Sequence, residues 1–137
     1  MRLATTALAA LLLTTSVVAC GASPARDDPP PVSLRMRYDD GAGHVRVATL
    51  RCDGGAATRT GYLRGGARGL CAFARRKVRL LSREPADRVC IQRYFGPQTA
   101  RVRGRIGELA LDRRFHRHDG CGNADWRAAG ALLPPPR

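Results

Sequence analysis

Lysine, acidic residues and long apolar runs are all scarce in this chain of 137 residues. Lys77 is the only lysine among 24 lysine and arginine residues, and only 11 aspartate and glutamate residues oppose them, so the formal net charge is +13. The apolar run from Leu3 to Ala19 is too short and too rich in threonine for a stable transmembrane helix. The sequence therefore argues against a membrane-spanning helix and predicts a basic protein that is drawn to anionic partners.

The motifs of several enzyme classes are also missing. Gly54-Gly55 and Gly65-Gly66 are not followed by the lysine and hydroxyl pair of a phosphate-binding loop. The run from His116 to Cys121 has the pattern H-x-H-D-x-C, but no second ligand cluster accompanies it, and Cys121 is better used in a disulfide. A cysteine nucleophile is disfavoured in an oxidising compartment. We therefore predict no enzyme, no cofactor and no metal site.

The first residues have the composition of a secretory signal, with Arg2 before the apolar run and small residues after it. Val17-Val18-Ala19-Cys20-Gly21 resembles the bacterial lipobox, in which a lipid is attached to the cysteine. The alternative is an ordinary signal peptide that ends near a cysteine, but lipidation of Cys20 would leave an even number of thiols to pair. We predict a signal peptide at 1–19 and a proline-rich tether at 20–31. The protein is expected to be exported, and to be either extracellular or anchored to the cell membrane by a lipid on Cys20.

The remaining cysteines are predicted to form disulfides, because an exported domain of this size has a small core and needs cross-links. Four cysteines allow three pairings, and the residues alone do not choose among them. Pairing neighbours in sequence would close loops of about 20 and about 32 residues, each stabilising the fold by about 3–4 kcal/mol. The cysteines are Cys52, Cys71, Cys90 and Cys121.

Several stretches alternate between apolar and polar residues, as strands do. They are residues 32–38, 44–52, 98–103 and 109–115, the last two joined by a turn at 104–107. In the second stretch Val45 and Val47 belong to the apolar set, and the alternation shifts near Ala48, which suggests a β-bulge. Residues 53–66 are rich in glycine and threonine and are predicted to form a loop.

Two stretches have helical character. Apolar residues recur every third or fourth position from Ala67 to Leu81, which predicts a helix. Its arginines suit the negative end of the helix dipole, and the alternative is that they bind a membrane surface. A helical turn is predicted from Asn123 to Ala129, with Trp126 in the core. Residues 32–130 thus form one predicted domain, followed by a loose proline-rich tail at 131–137.

The stretch from Val89 to Cys121 carries a family resemblance. It begins Val89-Cys90-Ile91-Gln92-Arg93-Tyr94, continues through Pro97 and the predicted hairpin, and ends at Phe115 and Cys121. Together with Thr49-Leu50-Arg51-Cys52 and Gly69-Leu70-Cys71, it resembles the Streptomyces subtilisin inhibitor family over roughly residues 45–126.

The resemblance implies an α+β sandwich with a five-stranded antiparallel sheet and two helices on one face. It also implies the bridges Cys52–Cys71 and Cys90–Cys121, a homodimer formed through the sheet, and a reactive bond between Gln92 and Arg93. The residues implied to contact the protease on either side of that bond are Val89, Cys90, Ile91 and Tyr94.

The resemblance leaves the target open. Family members more often carry proline at Ile91 and methionine, lysine or arginine at Gln92. An uncharged Gln92 suits a subtilisin-like protease, whereas a shift of one residue would make Arg93 the primary residue and a trypsin-like protease the target. We expect an exported serine protease inhibitor.

The alternative is a non-inhibitory basic envelope lipoprotein of the same fold that binds anionic lipid or wall polymer. Nucleic acid is not an expected partner of an exported protein. A third interpretation of the arginines is that they only solvate a strand-rich surface.

Overall fold

The computed structural model describes residues 28–135 as one α+β domain. The predicted signal peptide, Cys20 and most of the tether lie outside the described residues. The elements in chain order are β1 Val32–Asp39, β2 Val45–Asp53, β3 Ala56–Thr60, α1 Ala67–Arg76, α2 Val78–Ser82, β4 Thr99–Ile106, β5 Leu109–His116 and α3 Gly120–Ala129, followed by a short 3-10 turn Gly130–Leu132.

The strands form a single sheet in the order β3-β2-β1-β4-β5, and every neighbouring pair is antiparallel. The alternation along β1 shows which face of the sheet is buried and dry. The buried residues of this strand are Val32, Leu34, Met36 and Tyr38. Their cross-strand neighbours on the same face complete the sheet half of the core, and these are Ala48, Leu50, Cys52, Ala100, Val102, Ile106, Leu111 and Phe115.

The helices cover that dry face. The ten-residue helix α1 packs against β2, and the ten-residue helix α3 packs against β5. The five-residue α2 also packs against β5. The Cys52–Cys71 disulfide joins β2 to α1 with its Cα atoms 6.1 Å apart. Trp126 on α3 is buried and meets the ring of Tyr38 edge-on at 5.9 Å. The predicted class, the five-stranded sheet and the two disulfides are confirmed.

Three sequence predictions about the elements need correction. The pairing of β1 with β2 runs without interruption from Val32 and Cys52 to Asp39 and Val45, so there is no bulge near Ala48. Val45 and Val47 lie on the outer face of the sheet and are exposed, which accounts for the apparent shift in alternation. The stretch predicted as a loop contains strand β3, and β4 continues to Ile106 before the chain turns.

The C-terminal segment is also more ordered than its composition suggests. Leu132 and Leu133 are buried, and the indole Nε1 of Trp126 donates a hydrogen bond of 3.0 Å to the carbonyl of Pro134. The prediction of a loose tail at 131–137 is therefore wrong for residues 131–135, and the domain extends past residue 130. The last two residues lie outside the described range.

The two disulfides are typical of proteins that fold in an oxidising setting. The helices between residues 28 and 135 are all too short or too polar to cross a membrane.

Candidate functional site

Residues 83–98 connect α2 to β4 without helix or strand, and they contain the predicted reactive bond. Val89 and Tyr94 are 103% and 62% exposed, and Ile91 is 66% exposed. Gln92 and Arg93 are exposed as well. Because these exposed side chains are grouped in one short loop, the segment has the character of a binding surface.

The N-terminal side of this loop is anchored at two adjacent residues. The Cys90–Cys121 disulfide holds the two Cα atoms 5.4 Å apart. The carbonyl of Ile91 accepts a 2.9 Å hydrogen bond from the backbone N–H of Gly120. A Cβ atom at Gly120 would lie only 2.3 Å from Cγ1 of Ile91, so the loop packs where only glycine leaves room.

The C-terminal side is anchored by Arg117. Its carbonyl accepts a 3.0 Å hydrogen bond from the backbone N–H of Phe95. Its buried guanidinium donates to Oε1 of Gln98 at 2.8 Å and to Oδ1 of Asn123 at 3.1 Å. Gly96 has φ +150°, and a Cβ there would lie 2.3 Å from Oε1 of Gln98. The absence of a side chain at Gly96 therefore leaves room for the hydrogen bond between Gln98 and Arg117.

Both sides of the loop are thus attached to one short stretch, residues 117–121, which we call the anchor segment and which follows β5 and includes the first two residues of α3. The start of α3 keeps it in place, because the carboxylate of Asp119 accepts a 2.7 Å hydrogen bond from the backbone N–H of Gly122. In the part of the chain that the structure describes, residues 92–94 make no backbone–backbone hydrogen bond. Their N–H and C=O groups are therefore available to an extended partner chain.

The side chains between the anchors interact with the loop itself and with the anchor segment. Nε2 of Gln92 donates to the carbonyl of Cys90 at 3.1 Å, and the guanidinium of Arg93 lies 5.4 Å from the centre of the Phe95 ring. The ring of Tyr94 stacks on that of His118 at 6.0 Å. Since these contacts are local and exposed, an approaching partner can displace them at small cost.

An ion network fixes the start of the loop to the core. Arg88 donates to both carboxylate oxygens of Asp125, at 2.9 and 2.7 Å. The same carboxylate accepts from Arg113 at 2.7 Å, and Arg113 also pairs with Glu84 at 3.1 Å. Arg113 and Asp125 are only 3% and 9% exposed, so each neutralises a charge that would otherwise be buried alone.

The H-x-H-D-x-C run supports the loop. Sulfur and carboxylate atoms of Cys90, Asp119 and Cys121 lie within 4.8 Å of one another, but the two sulfurs are bonded to each other. The rings of His116 and His118 pack at 5.2 Å, and His118 carries Tyr94. Thiolate ligation by Cys121 is therefore ruled out in the folded, oxidised protein.

The anchoring residues Arg117, Gly120 and Asp125 did not stand out in the sequence, because their partners lie far away along the chain. One signal did exist. Arg113 occupies an apolar phase of its strand, and a charge at such a position indicates a buried ion pair.

Comparison of the chain with protein-family models, with curated proteins and with solved structures returned no match.

Proposed function

We propose that this protein inhibits a serine protease by presenting the Gln92–Arg93 bond as a substrate. One observation supports this most directly: an exposed stretch of three residues, 92–94, spans two anchors that both sit on the anchor segment. The choice of the Gln92–Arg93 bond within this stretch rests on what the resemblance to the Streptomyces subtilisin inhibitor family implies.

The geometry favours tight binding because the loop is ordered before it meets the protease. Proteases bind substrates as extended strands, and the backbone groups of residues 92–94 are free to pair with the protease in this way. The disulfide, the two backbone hydrogen bonds and the Arg88–Asp125 pair already restrict the loop. Little conformational entropy is then lost on binding, so more of the contact energy appears as affinity.

The same anchors explain why cleavage would not destroy the inhibitor. When the protease serine attacks the Gln92 carbonyl, the Gln92–Arg93 bond breaks, Gln92 becomes an ester of the serine, and the amine of Arg93 leaves with a proton. The amine stays close because the nearby Phe95 is hydrogen-bonded to the Arg117 carbonyl. The ester stays close because the nearby Cys90 is linked to Cys121 by the disulfide. The amine can attack the ester, release the serine and restore the peptide bond, and the high effective concentration favours this over hydrolysis.

The side chains favour a subtilisin-like target. Gln92 is uncharged and exposed, and the neighbouring apolar residues Val89 and Ile91 project into solvent, where they can occupy adjacent pockets. A trypsin-like protease would require Arg93 as the primary residue. The spacing from Cys90 to Tyr94 favours Gln92.

The test is a titration of residues 28–137, which contain the whole described core and both disulfides, against subtilisin and against trypsin, with sequencing of any cleaved product. We expect inhibition of subtilisin and slow cleavage after Gln92. Cleavage after Arg93 would assign the trypsin-like register. Absence of inhibition of both proteases would contradict the proposal.

The role of the anchors is tested by removing each disulfide separately. Cys90→Ser with Cys121→Ser should convert the inhibitor into a substrate, because the amine and the ester separate after cleavage. Cys52→Ser with Cys71→Ser is the matched control, since it removes a disulfide far from the loop. The control should melt at a lower temperature but still inhibit when assayed below that temperature. Equal inhibition by the first double variant and the unmodified protein would overturn the mechanism.

A further inference from the structure

The face of the sheet that is turned away from the helices carries an unusual concentration of arginine. Because side chains alternate along each strand, the outer positions of β1, β2, β4 and β5 all point to this face. We call the following set the arginine face: Arg35, Arg37, Arg51, Arg101, Arg103, Arg105 and Arg114. All are exposed except Arg101, which is partly buried.

The strand register brings like charges directly opposite each other. Arg35 on β1 faces Arg103 on β4, and Arg37 faces Arg101. Arg101 also faces Arg114 on β5. Directly opposed side chains lie about 5 Å apart at Cβ, and like charges in such pairs destabilise a sheet. Fold stability therefore does not explain this pattern, and an anionic partner would relieve the repulsion.

The carboxylates on this face do not balance the arginines. Asp112 pairs with Arg101 at 2.6 Å and with Arg103 at 3.3 Å. The other ion pairs are longer and lie at the margins, between Arg37 and Asp39 at 3.6 Å and between Arg105 and Glu108 at 3.5 Å. Within residues 28–135, Arg35, Arg51 and Arg114 have no carboxylate within salt-bridge distance.

The positions form an oblique band that suits a linear ligand. From Arg51 on β2 the band crosses β1 and β4 and reaches Arg114 on β5. Strands lie about 4.8 Å apart and outward side chains repeat every 6.7 Å or so along each strand. A chain with regularly spaced anionic groups can therefore meet one guanidinium after another. Guanidinium groups bind phosphate through two parallel hydrogen bonds, and a phosphate polymer presents such a group at every repeat.

Other occupants fit this face less well. Sheets twist by about 20–25° from strand to strand, so a flat membrane would contact only part of the band, whereas a flexible chain can follow it. The outer positions of the described strands hold no phenylalanine, tyrosine or tryptophan on which nucleic-acid bases could stack. A second copy of the chain would oppose arginine to arginine, so the homodimer implied by the family resemblance is disfavoured on this face.

We propose that the arginine face is a binding site for a linear phosphate-bearing polymer. The site is separate from the protease-binding loop, since none of its seven arginines contacts the loop or the anchor segment in the described hydrogen bonds and ion pairs. This proposal does not depend on protease inhibition.

The experiment compares two triple variants with the same change in charge. The first replaces Arg35, Arg37 and Arg105 by glutamine on the arginine face. The second replaces Arg68, Arg76 and Arg79, which are exposed on the helices at the opposite side of the sheet. Binding of fluorescently labelled long-chain inorganic polyphosphate to residues 28–137 is followed by anisotropy over a range of salt concentrations.

We expect the arginine-face triple to lose affinity about tenfold or more, and the slope of log affinity against log salt to fall by roughly 2, because about three ion contacts are lost. The helix triple should lose less than about threefold. The triple Arg35→Lys, Arg37→Lys, Arg105→Lys keeps the charge but loses the paired hydrogen bonds of the guanidinium groups, so its affinity should lie between those of the unmodified protein and the glutamine triple. The glutamine variant should melt at the same temperature as the unmodified protein or higher, because repulsion is relieved.

Three outcomes would overturn the proposal. One is no binding of polyphosphate by the unmodified protein, and another is an equal loss in the two glutamine triples, which would reduce the effect to net charge. The third is tighter binding to phosphatidylglycerol vesicles than to polyphosphate, together with a loss of affinity in the arginine-face glutamine triple that is seen for vesicles and not for polyphosphate. Inhibition of subtilisin should be the same in all variants, so failure of either proposal is visible without the other.

Discussion

Gly120 contacts Ile91 through both its backbone and the space left by its missing side chain. Its N–H donates to the Ile91 carbonyl, and the space that a Cβ would fill is taken by the Ile91 side chain. Because Ile91 precedes the proposed reactive residue, a small shift here moves the whole exposed stretch.

Replacing Gly120 by alanine should therefore weaken protease inhibition by about tenfold or more, equivalent to about 1.4 kcal/mol of lost binding free energy. The measurement is the inhibition constant against subtilisin. Gly69→Ala is the control, since no atom lies within 4 Å of a Cβ at that helical position. The control should stabilise the protein by about 0.5–1 kcal/mol and leave inhibition unchanged. Full inhibition by Gly120→Ala would show that the Ile91 contact does not set the loop geometry.

Asp112 links acid stability to the arginine face. The hydrogen bond from Arg101, followed by that from Arg103, lowers the pKa of Asp112 from 3.8 to about 2. A carboxyl whose pKa is lower in the folded than in the unfolded protein contributes stability above its unfolded pKa and loses it as the pH falls through its folded pKa.

The melting temperatures of the unmodified protein and of Asp112→Asn should thus differ most above pH 3.8 and converge as the pH falls towards about 2. Thermal melts across that interval measure the effect. A constant difference at all pH values would mean that the ionised pair with Arg101 is not the source of the stability.

The elements differ in how well local sequence reports them. Strands β1, β4 and β5 follow the predicted alternation because one face of each is buried against the helices. Strand β3 was missed because it is an edge strand and only Ala57 is even partly buried, so no alternation marks it. Strand β3 forms because it pairs with β2, and the sequence of residues 56–60 alone does not indicate that pairing.

The loop and its Cys90–Cys121 disulfide were expected from the sequence, but its hydrogen-bonded supports were not. Exposure of residues 92–94 agrees with their mixed polarity and with the nearby Pro97. The contacts to Arg117 and Gly120 join residues more than 20 positions apart, and nothing in either local stretch indicates the partner. The periodicity of apolar residues indicates which side chains are buried. It does not indicate the contacts to Arg117 and Gly120, which form only when the sheet and α3 have assembled.

The network between the loop, β5 and α3 should be a major source of stability. Asp125→Asn removes the charge that Arg88 and Arg113 share, and it leaves Arg113, 3% exposed, with only Glu84 as an ionic partner. We expect the free energy of unfolding to fall by about 3 kcal/mol, as measured by denaturant titration.

Asp112→Asn at neutral pH is the matched comparison, because its pair with Arg101 is more exposed to solvent and should contribute less stability than the buried Asp125 network. If the two variants lost the same stability, burial of the Asp125 network would not be the deciding factor.

For the molecule as a whole, the two disulfides have unequal exposure. Cys52 and Cys71 are 4% and 2% exposed, whereas Cys90 and Cys121 are partly accessible at the surface. Thiol–disulfide exchange requires access of the attacking thiolate to a sulfur, so the loop disulfide should react first.

Limited treatment with dithiothreitol should therefore abolish inhibition before the protein unfolds. Alkylation followed by mass spectrometry would locate the reduced cysteines, and circular dichroism would follow the fold. Reduction of Cys52 and Cys71 first, or inhibition that survives opening of Cys90–Cys121, would contradict this expectation.

The pairing order of the cysteines has a consequence for biogenesis. Of these four cysteines the first joins the second, Cys52 with Cys71, and the third joins the fourth, Cys90 with Cys121, so the two closed loops do not overlap. In a polypeptide that emerges from a translocation pore with its amino end leading, the correct partner is always the next sulfur to arrive. Oxidation in order of arrival then yields the native pattern, and such a protein has little need of an isomerase to rearrange wrong bonds.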